Sequence, residues 1–452
     1  MKKTISILLS ALMIFSVLAP FSAFADSVTK TKVVDNVRYK YTVTDKEANL
    51  THMEALGDQT KITIPSKLGG YPVRVLAHDC FATFPESEPE QVSPKVKTVE
   101  IPDSVKTIES NAFNNCIYIK TFKIGKGVTK IGDNAFFWCI GLKKFVISKD
   151  NKKYSSSHGN LLNKSKTVLI KYPGAKTKED ITLERTIKRI KTDAFRENNH
   201  LMSINFNNVE VVESDAVDMC YKLETMKFGK KMKDFHPGNY YYNIKLKSIE
   251  VPKKNKYYSS RGGVLYNKKK TKIIYYPHAK KGTKYTIPDT VTTIGQYAFY
   301  CNKNLKTVVL PKGLKVIGRL AFFEMQNLKS INLSDTKVTK ICDHAFSGCP
   351  KLTEIKLPNT LKTIGKYAFS CHKIKNVVIP KNVETIDKHA FWSRDMESIT
   401  ILGNDTEITK SSFLYNYDSN GKRYYVTKLI AHKGSKAHEL AEKYNIPFEE
   451  LK

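Results

Sequence analysis

VTTIGQYAFYCNKNLKTVVLP (Val291–Pro311) is followed by LKVIGRLAFFEMQNLKSINL (Leu314–Leu333), VTKICDHAFSGCPKLTEIKLP (Val338–Pro358) and LKTIGKYAFSCHKIKNVVIP (Leu361–Pro380). The same sentence recurs: apolar-x-x-Ile, then Ala-Phe, usually Cys, then Leu-x-x-Val-x-Ile/Leu. Phe299, Phe322, Phe346, Phe369 and Phe391 fall 22 to 24 residues apart. A short fixed period means a solenoid, whose coils bury their apolar faces only against their neighbours. Solenoids offer extended surfaces, so binding is expected ahead of catalysis.

In L-x-x-V-x-I the last apolar pair alternates with outward residues, as a strand requires, and neighbouring coils should pair in parallel. V-x-x-I is a shorter extended run on the other side. Ala-Phe is expected to open a tight helical or 3₁₀ turn, with the phenylalanines stacked inside. The fold class is therefore α/β: a solenoid of mainly short parallel strands and short helical or 3₁₀ turns, with about eleven coils.

Earlier coils centre on Ala112-Phe113 and Ala135-Phe136. They are interrupted by NKKYSSSHGNLLNKSKTVLIKYPGA (Asn151–Ala175), and a near-copy stands at Asn255–Ala279, 104 residues on. Two strand-like runs around Asn-Lys signals predict a hairpin in each, packed on the solenoid's side. The same offset aligns Phe113 with Val217, Cys116 with Cys220 and Phe195 with Phe299. A block of about four units is thus duplicated, with Tyr240 in one phenylalanine slot.

The expected layout is a signal peptide (1–25), an N-terminal cap with a first irregular repeat (26–100), the solenoid with its hairpins near 151–175 and 255–279 (101–401), and a C-terminal cap (402–452). Lys2 and Lys3, the apolar run Ile5–Phe21 and Ala23-Phe24-Ala25 carry the export signal. No lipid-anchor cysteine, wall-sorting pattern or second long apolar run follows, so a secreted chain with no membrane span is expected. Pro85–Pro94 reads as an acidic, proline-rich loop. Near the end, Ser435 can cap a helix whose Ala437, Leu440, Ala441 and Tyr444 share a face.

The repeats, the opening Y-x-Y-x-V (Tyr39–Val43), the G-Y-P-V segment (Gly70–Val73) and the closing G-S-x-A-x-x-x-A (Gly434–Ala441) resemble the leucine-rich repeats and caps of the BspA-like family of bacterial surface proteins. The likeness covers nearly all of residues 37–449. It implies a leucine-rich-repeat solenoid and an exported protein used in adhesion and in protein or surface binding.

The net charge is +32 over 452 residues. In an exported chain this favours anionic envelope polymers, glycans or phospholipid surfaces over nucleic acid, which is not expected as a partner. Lys97, Lys120, Lys143, Lys247, Lys306, Lys329 and Lys375 occupy one column at the strand entrance and are candidate polyanion-binding residues. Lys106, Lys188, Lys315 and Lys362 form a second column. Like charges at the inter-strand spacing repel, and a polyanion would relieve that. The alternative is a gatekeeper role, in which edge lysines discourage edge-to-edge aggregation. Thr98, Thr121, Ser203, Thr225, Ser248, Thr307, Ser330 and Asn376 face outward along the strands and are candidate contacts on a flat, mixed face, expected to be concave.

Six of the eight cysteines follow the Ala-Phe slot by two or three residues, so buried structural thiols explain them better than disulfides. The sequence has no C-x-x-C, G-x-S-x-G, H-E-x-x-H or phosphate-binding glycine loop, and His344 and His389 simply share a repeat slot. No catalytic residue, cofactor or metal site is expected. The reading is a secreted, non-enzymatic protein making multivalent contacts with surface proteins or glycans of a host or neighbouring cell. The alternative is a scaffold held noncovalently on the producer's own envelope through anionic polymers.

Overall fold

The computed structural model describes residues 28–81, 95–236, 242–371, 373–393, 395–412, 415–417, 423–425 and 427–452. The expected signal peptide, the Pro85–Pro94 loop and Tyr240 lie outside them. The chain winds into a solenoid of about 16 turns with two columns of short parallel strands. The first column begins Lys61–Thr63, Thr98–Ile101, Thr121–Ile124, Lys144–Ile147. Its register places each outward residue beside that of the next coil, as in Thr98↔Thr121↔Lys144. The second column is built from V-x-x-I and pairs Ile294↔Ile317↔Ile341↔Ile364↔Ile386.

The eleven expected coils were too few. Five more first-column strands lie at Lys61–Thr63, Asp180–Thr182, Lys284–Thr286, Lys428–Ala431 and Phe448–Glu450. In four of them Gln59, Lys178, Gly282 or Asn445 stands where the leading leucine belongs. These coils follow a hairpin or close an end, and they take their register from the neighbouring strand instead.

Two positions set the turn of each coil. The residue before Ala-Phe is left-handed, with φ of 53 to 58° at Asn111, Asn134, Asp193, Asp215, Tyr297, Leu320, His344, Tyr367 and His389. A second left-handed residue follows Phe by two, as at Asn115, Trp138, Cys301 and Gly348. Left-handed residues interrupt a 3₁₀ run, so these corners are linked turns. The helices among the described residues are Lys410–Ser412 (3₁₀) and Lys436–Tyr444. Asn and Asp tolerate this conformation, whereas Tyr and His carry strain there. Stacking accompanies it: Tyr367 lies 4.8 Å from the rings of both His344 and His389.

Inside, Phe299, Phe322, Phe346, Phe369 and Phe391 stack with centroids 5.0 to 5.5 Å apart. Beside this spine runs a column of buried donors. The thiols of Cys116, Cys139, Cys220, Cys349 and Cys371 point at the carbonyls of Phe81, Phe113, Phe195, Phe322 and Phe346, at 3.0, 3.2, 3.3, 3.1 and 2.6 Å. Asn198, Asn243 and Asn302 fill the same slot with amide donors. Cys301 is not in this column: it takes the left-handed position, and its thiol faces Glu324. All eight cysteines are free.

The hairpins do not pack on the solenoid's side. Each enters between coils as three strands, Tyr154–Ser157, Asn160–Asn163 and Val168–Lys171 in the first and Tyr258–Arg261, Val264–Asn267 and Lys272–Tyr275 in the second. The middle strand is apolar on both faces. Leu161 joins the core that begins at Val37, while Leu162 joins the core that runs to Tyr275. In the second copy Leu265 faces backward, and Val264 and Tyr266 face forward. The interior is thus divided into three compartments by two strands that a side-packed hairpin would not supply.

The ends are closed differently. Lys30–Val34, Val37–Thr44 and Glu47–Ala55 form an antiparallel meander on Tyr71–Leu76, burying Tyr39 and Tyr41. At the other end Ser435 Oγ accepts the His438 N–H, and the helix buries Ala437 and Ala441.

Candidate binding face

The outward first-column residues form three facets, because each hairpin turn covers the last strand of a four-strand group. Phe145 N–H donates to Gly159 O, and Ile249 N–H donates to Gly263 O, each at 2.9 Å. Gly159 (φ 77°) lies against Lys144, where a Cβ would come within 2.8 Å of the lysine Cβ. Gly263 (φ 81°) lies against Ser248 in the same way. Ser248 therefore sits under a turn. Thr121, between Thr98 and the longer Lys144, is only 8% exposed. Neither presents a free contact, which corrects the expectation of one flat ladder. Thr98 shares the first facet with Glu100, whose carboxyl is pushed down to about 2 by hydrogen bonds from Lys123 and Lys61, its partners at 2.6 and 2.7 Å. Ser203 and Thr225 stand half-buried on the second facet.

The third facet, from Lys284 to the C-terminal end, is the longest and carries Thr307, Ser330 and Asn376. Its ladder loosens to isolated bridges at Thr307↔Ser330 and Asn332↔Lys356. The cause is local. Asn332 Oδ1 accepts from Ser334 N–H and Oγ–H, and its amide donates to Asp335 Oδ2, which draws the chain into a tight turn. This coil is the longest of the run from Phe299 to Phe391, with 24 residues from Phe322 to Phe346. The result is a groove of about 610 Å³ lined by Thr307, Val309, Lys329, Ser330, Asn332, Asp335, Glu354 and Lys356. It gathers three of the residues singled out in the sequence, Thr307, Lys329 and Ser330. Exposed Val309 and Val378 (53%) add apolar area along the same facet. Asp335 had no signal in the repeat pattern, because it belongs to the inserted turn.

The lysine column is real as a backbone ladder but not as a continuous basic track. Lys97, Lys120 and Lys143 are consecutive, and so are Lys306 and Lys329. Between these runs the slot holds Glu179, Met202 and Glu224, and later Glu397. Lys247 pairs with Glu224 and Lys375 with Glu397, both at 2.7 Å across adjacent coils. Lys97 lies over the Tyr118 ring. In the second column Lys233–Glu210 (2.8 Å) and Lys362–Glu384 (2.7 Å) repeat the device. Like-charge strain is therefore relieved within the protein at these points.

Two cavities mark the seams where the hairpins interrupt the second column. One of about 230 Å³ lies by Ile131, Tyr154, Ile170 and Lys171, and one of about 370 Å³ by Phe235, Tyr258 and Ile274. Near the first, buried charges collect: Lys171 Nζ donates to Asp193 O, and Arg196 pairs with Asp193 (2.8 Å) and Asp218 (3.6 Å). Burial pushes the Glu197 carboxyl up to about 7 and that of Asp218 up to about 6. No cluster of three or more His, Cys, Asp and Glu among the described residues is placed to hold a metal. No described helix is long and apolar enough to cross a membrane.

The model of the BspA type leucine rich repeat region matches this chain over residues 91–171, 172–287, 275–336 and 292–420. The chain belongs to the BspA-type leucine-rich-repeat family. Among solved structures, the BspA-type solenoid is similar to a leucine-rich cell surface protein from Faecalibacterium prausnitzii, with 21% identity over 92% of this chain and 98% of that one and a TM-score of 0.51. The pneumococcal vaccine antigen PcpA shares 22% identity over 94% and 100% of the two chains, with a TM-score of 0.49. A leucine-rich repeat protein from Bacteroides ovatus shares 20% over 93% and 100%, with a TM-score of 0.44. At these identities the likeness shows the fold alone. No protein of curated function matches. Leucine-rich repeat proteins bind other proteins, which gives the chain a binding role in outline.

Proposed function

We propose that this chain is an exported, non-enzymatic binding protein that contacts proteins or glycans on a host or neighbouring cell through its third facet. The observation that carries this reading is the groove at Thr307, Ser330 and Asn332, set in an eight-coil face with exposed Val309 and Val378. An extended face of small polar residues with scattered apolar ones suits a broad interface, and contacts shared over several coils add up by multivalency. Export is supported by the leader pattern at residues 1–25.

The test is surface-plasmon-resonance binding of the processed chain to a panel of purified extracellular-matrix proteins and glycans at about 0.15 M and about 0.5 M salt. Val309→Glu with Val378→Glu is expected to weaken the strongest interaction at least about tenfold, with little salt dependence, because it breaks a packed contact. Val146→Glu, on the first facet, serves as the control. Equal loss from both variants, or from neither, would refute the facet assignment.

The second reading, a scaffold on the producer's own envelope, is favoured by Lys120, Lys143, Lys306 and Lys329 of the strand-entrance column, which make no ion pair among the described residues. Co-sedimentation with cell walls stripped or not stripped of anionic polymer separates the two. Retention that vanishes with the polymer supports the scaffold.

A further inference from the structure

Between Glu250 and Asp289 the chain carries eleven lysines and arginines and no acid. This segment contains the second hairpin and leads into the first strand of the third facet. Lys280 Nζ donates to Gly262 O, tying the loop after the hairpin to the turn that follows Arg261. Arg261 is close enough to the hydroxyl pair of Tyr266 and Tyr285 to act electrostatically on both. Lys284 then pairs with Thr307 in the ladder. One coil further, Lys306 N–H donates to Thr283 O, and Lys329 N–H donates to Lys306 O. These steps follow the inter-strand spacing of about 4.8 Å.

We propose that Arg261, Lys280, Lys284, Lys306 and Lys329 form a track for an extended polyanion carrying a sulfate or phosphate on each sugar or polyol unit. Four of the five are exposed and Lys280 is half-buried. None makes an ion pair among the described residues, unlike Lys247 and Lys375 of the same column, which Glu224 and Glu397 neutralise. Among the acids of the facet, Glu354 is paired with Lys356, while Asp335, which lines the groove with Lys329, accepts from Asn332 and Ser334 and keeps its charge. The unrelieved repulsion is therefore concentrated here, and a chain with regularly spaced anions relieves it along its whole length. The first copy of the block has Ser157, Lys176 and Asp180 at the positions of Arg261, Lys280 and Lys284, and Glu184 accepts there from Ser157 Oγ. The track thus belongs to the second copy.

The experiment titrates the processed chain with a heparin-type sulfated oligosaccharide, a glycerol-phosphate polymer and an uncharged glucan of similar length. R261Q/K280Q/K284Q/K306Q/K329Q is expected to lose at least about tenfold in affinity for a charged polymer and to flatten its salt dependence. A variant that retains Lys280 and changes the other four guards against damage to the Gly262 turn and is expected to show the same loss. K106Q/K130Q/K315Q/K340Q/K362Q removes equal charge from the second column and should stay within about twofold of the parent. Binding of the sulfated polymer alone points to a foreign glycan, and binding of the phosphate polymer alone to the producer's envelope; either supports the track. Equal loss from the control variant, no loss from the track variants, or no binding of either charged polymer at low salt overturns it. Lys329 also lines the groove, so the groove contact is read separately with Val378→Glu and with a track variant that retains Lys329, which lets the two proposals fail independently.

Discussion

Residues 147–184 and 251–288 are the same piece of backbone carrying different surfaces. In each, a buried asparagine anchors the incoming strand. Asn151 donates to Gly125 O and Val128 O and accepts from the N–H groups of Lys153 and Tyr154. Asn255 repeats all four bonds with Gly229, Met232, Tyr257 and Tyr258. In each, a tyrosine hydroxyl accepts the N–H that the interrupted column leaves facing the gap, Ile131 to Tyr154 and Phe235 to Tyr258, both at 3.0 Å. The charges differ. The first copy sets four acids against eight lysines, and the second sets none against eleven basic residues. Bonds that close the break in the ladder are shared because the backbone geometry demands them, whereas exposed side chains are free to diverge.

The sharpest way to break this equivalence is to remove the anchors. Asn151→Ala and Asn255→Ala should each destabilise by about 3 kcal/mol, since each leaves several buried backbone groups without partners. Urea unfolding should give matching losses in the two variants. A loss confined to one copy would show that the shared bonds do not do shared work. The next effect should come from the charges gathered beside the first copy, around Lys171 and Arg196. The folded-state pKa of Glu197 is raised to about 7 and that of Asp218 to about 6, above ordinary carboxyl values. Such groups favour the protonated fold, so stability is fully present at low pH and falls as pH rises from about 4 to 7. Glu197→Gln should remove on the order of 2 kcal/mol of that decline, read from melting temperatures across the pH series. An unchanged pH slope would remove Glu197 as its source. The smallest effect is expected from Tyr154→Phe and Tyr258→Phe, about 1 kcal/mol each, because one hydrogen-bond acceptor is lost while the ring stays.

The solenoid was legible because its period is written in large apolar residues, and the C-terminal helix because Ser435 and its Ala-Leu-Ala-Tyr face carry ordinary signals. The place of the hairpins was misread although a clue was present. Leu161-Leu162 and Val264-Leu265-Tyr266 are consecutive apolar residues, the mark of a strand buried on both faces, and a hairpin packed on the outside would alternate. The left-handed corner is visible at Asn111, Asn134, Asp193 and Asp215 but is masked where Tyr, His or Leu fills the slot. The lysine columns looked continuous because only the lysines were followed, and Glu224, Glu397, Glu210 and Glu384 stand in the same slots. The groove could not be read, since it arises from one longer coil and the way Asn332 folds its turn.

The two doubly buried strands also determine how the molecule comes apart. In an uninterrupted solenoid each coil supports the next, and a defect anywhere weakens the whole stack. Here each partition separates the core clusters, so packing on its two sides is coupled mainly through the hairpin strands, by Leu161-Leu162 and Leu169-Ile170 in the first and by Val264-Leu265-Tyr266 and Ile273–Tyr276 in the second. Melting should then proceed in up to three separate transitions, and a lesion in one compartment would leave the others folded. Thermal damage or proteolytic nicking near one end would shorten the working surface of such a protein without abolishing it.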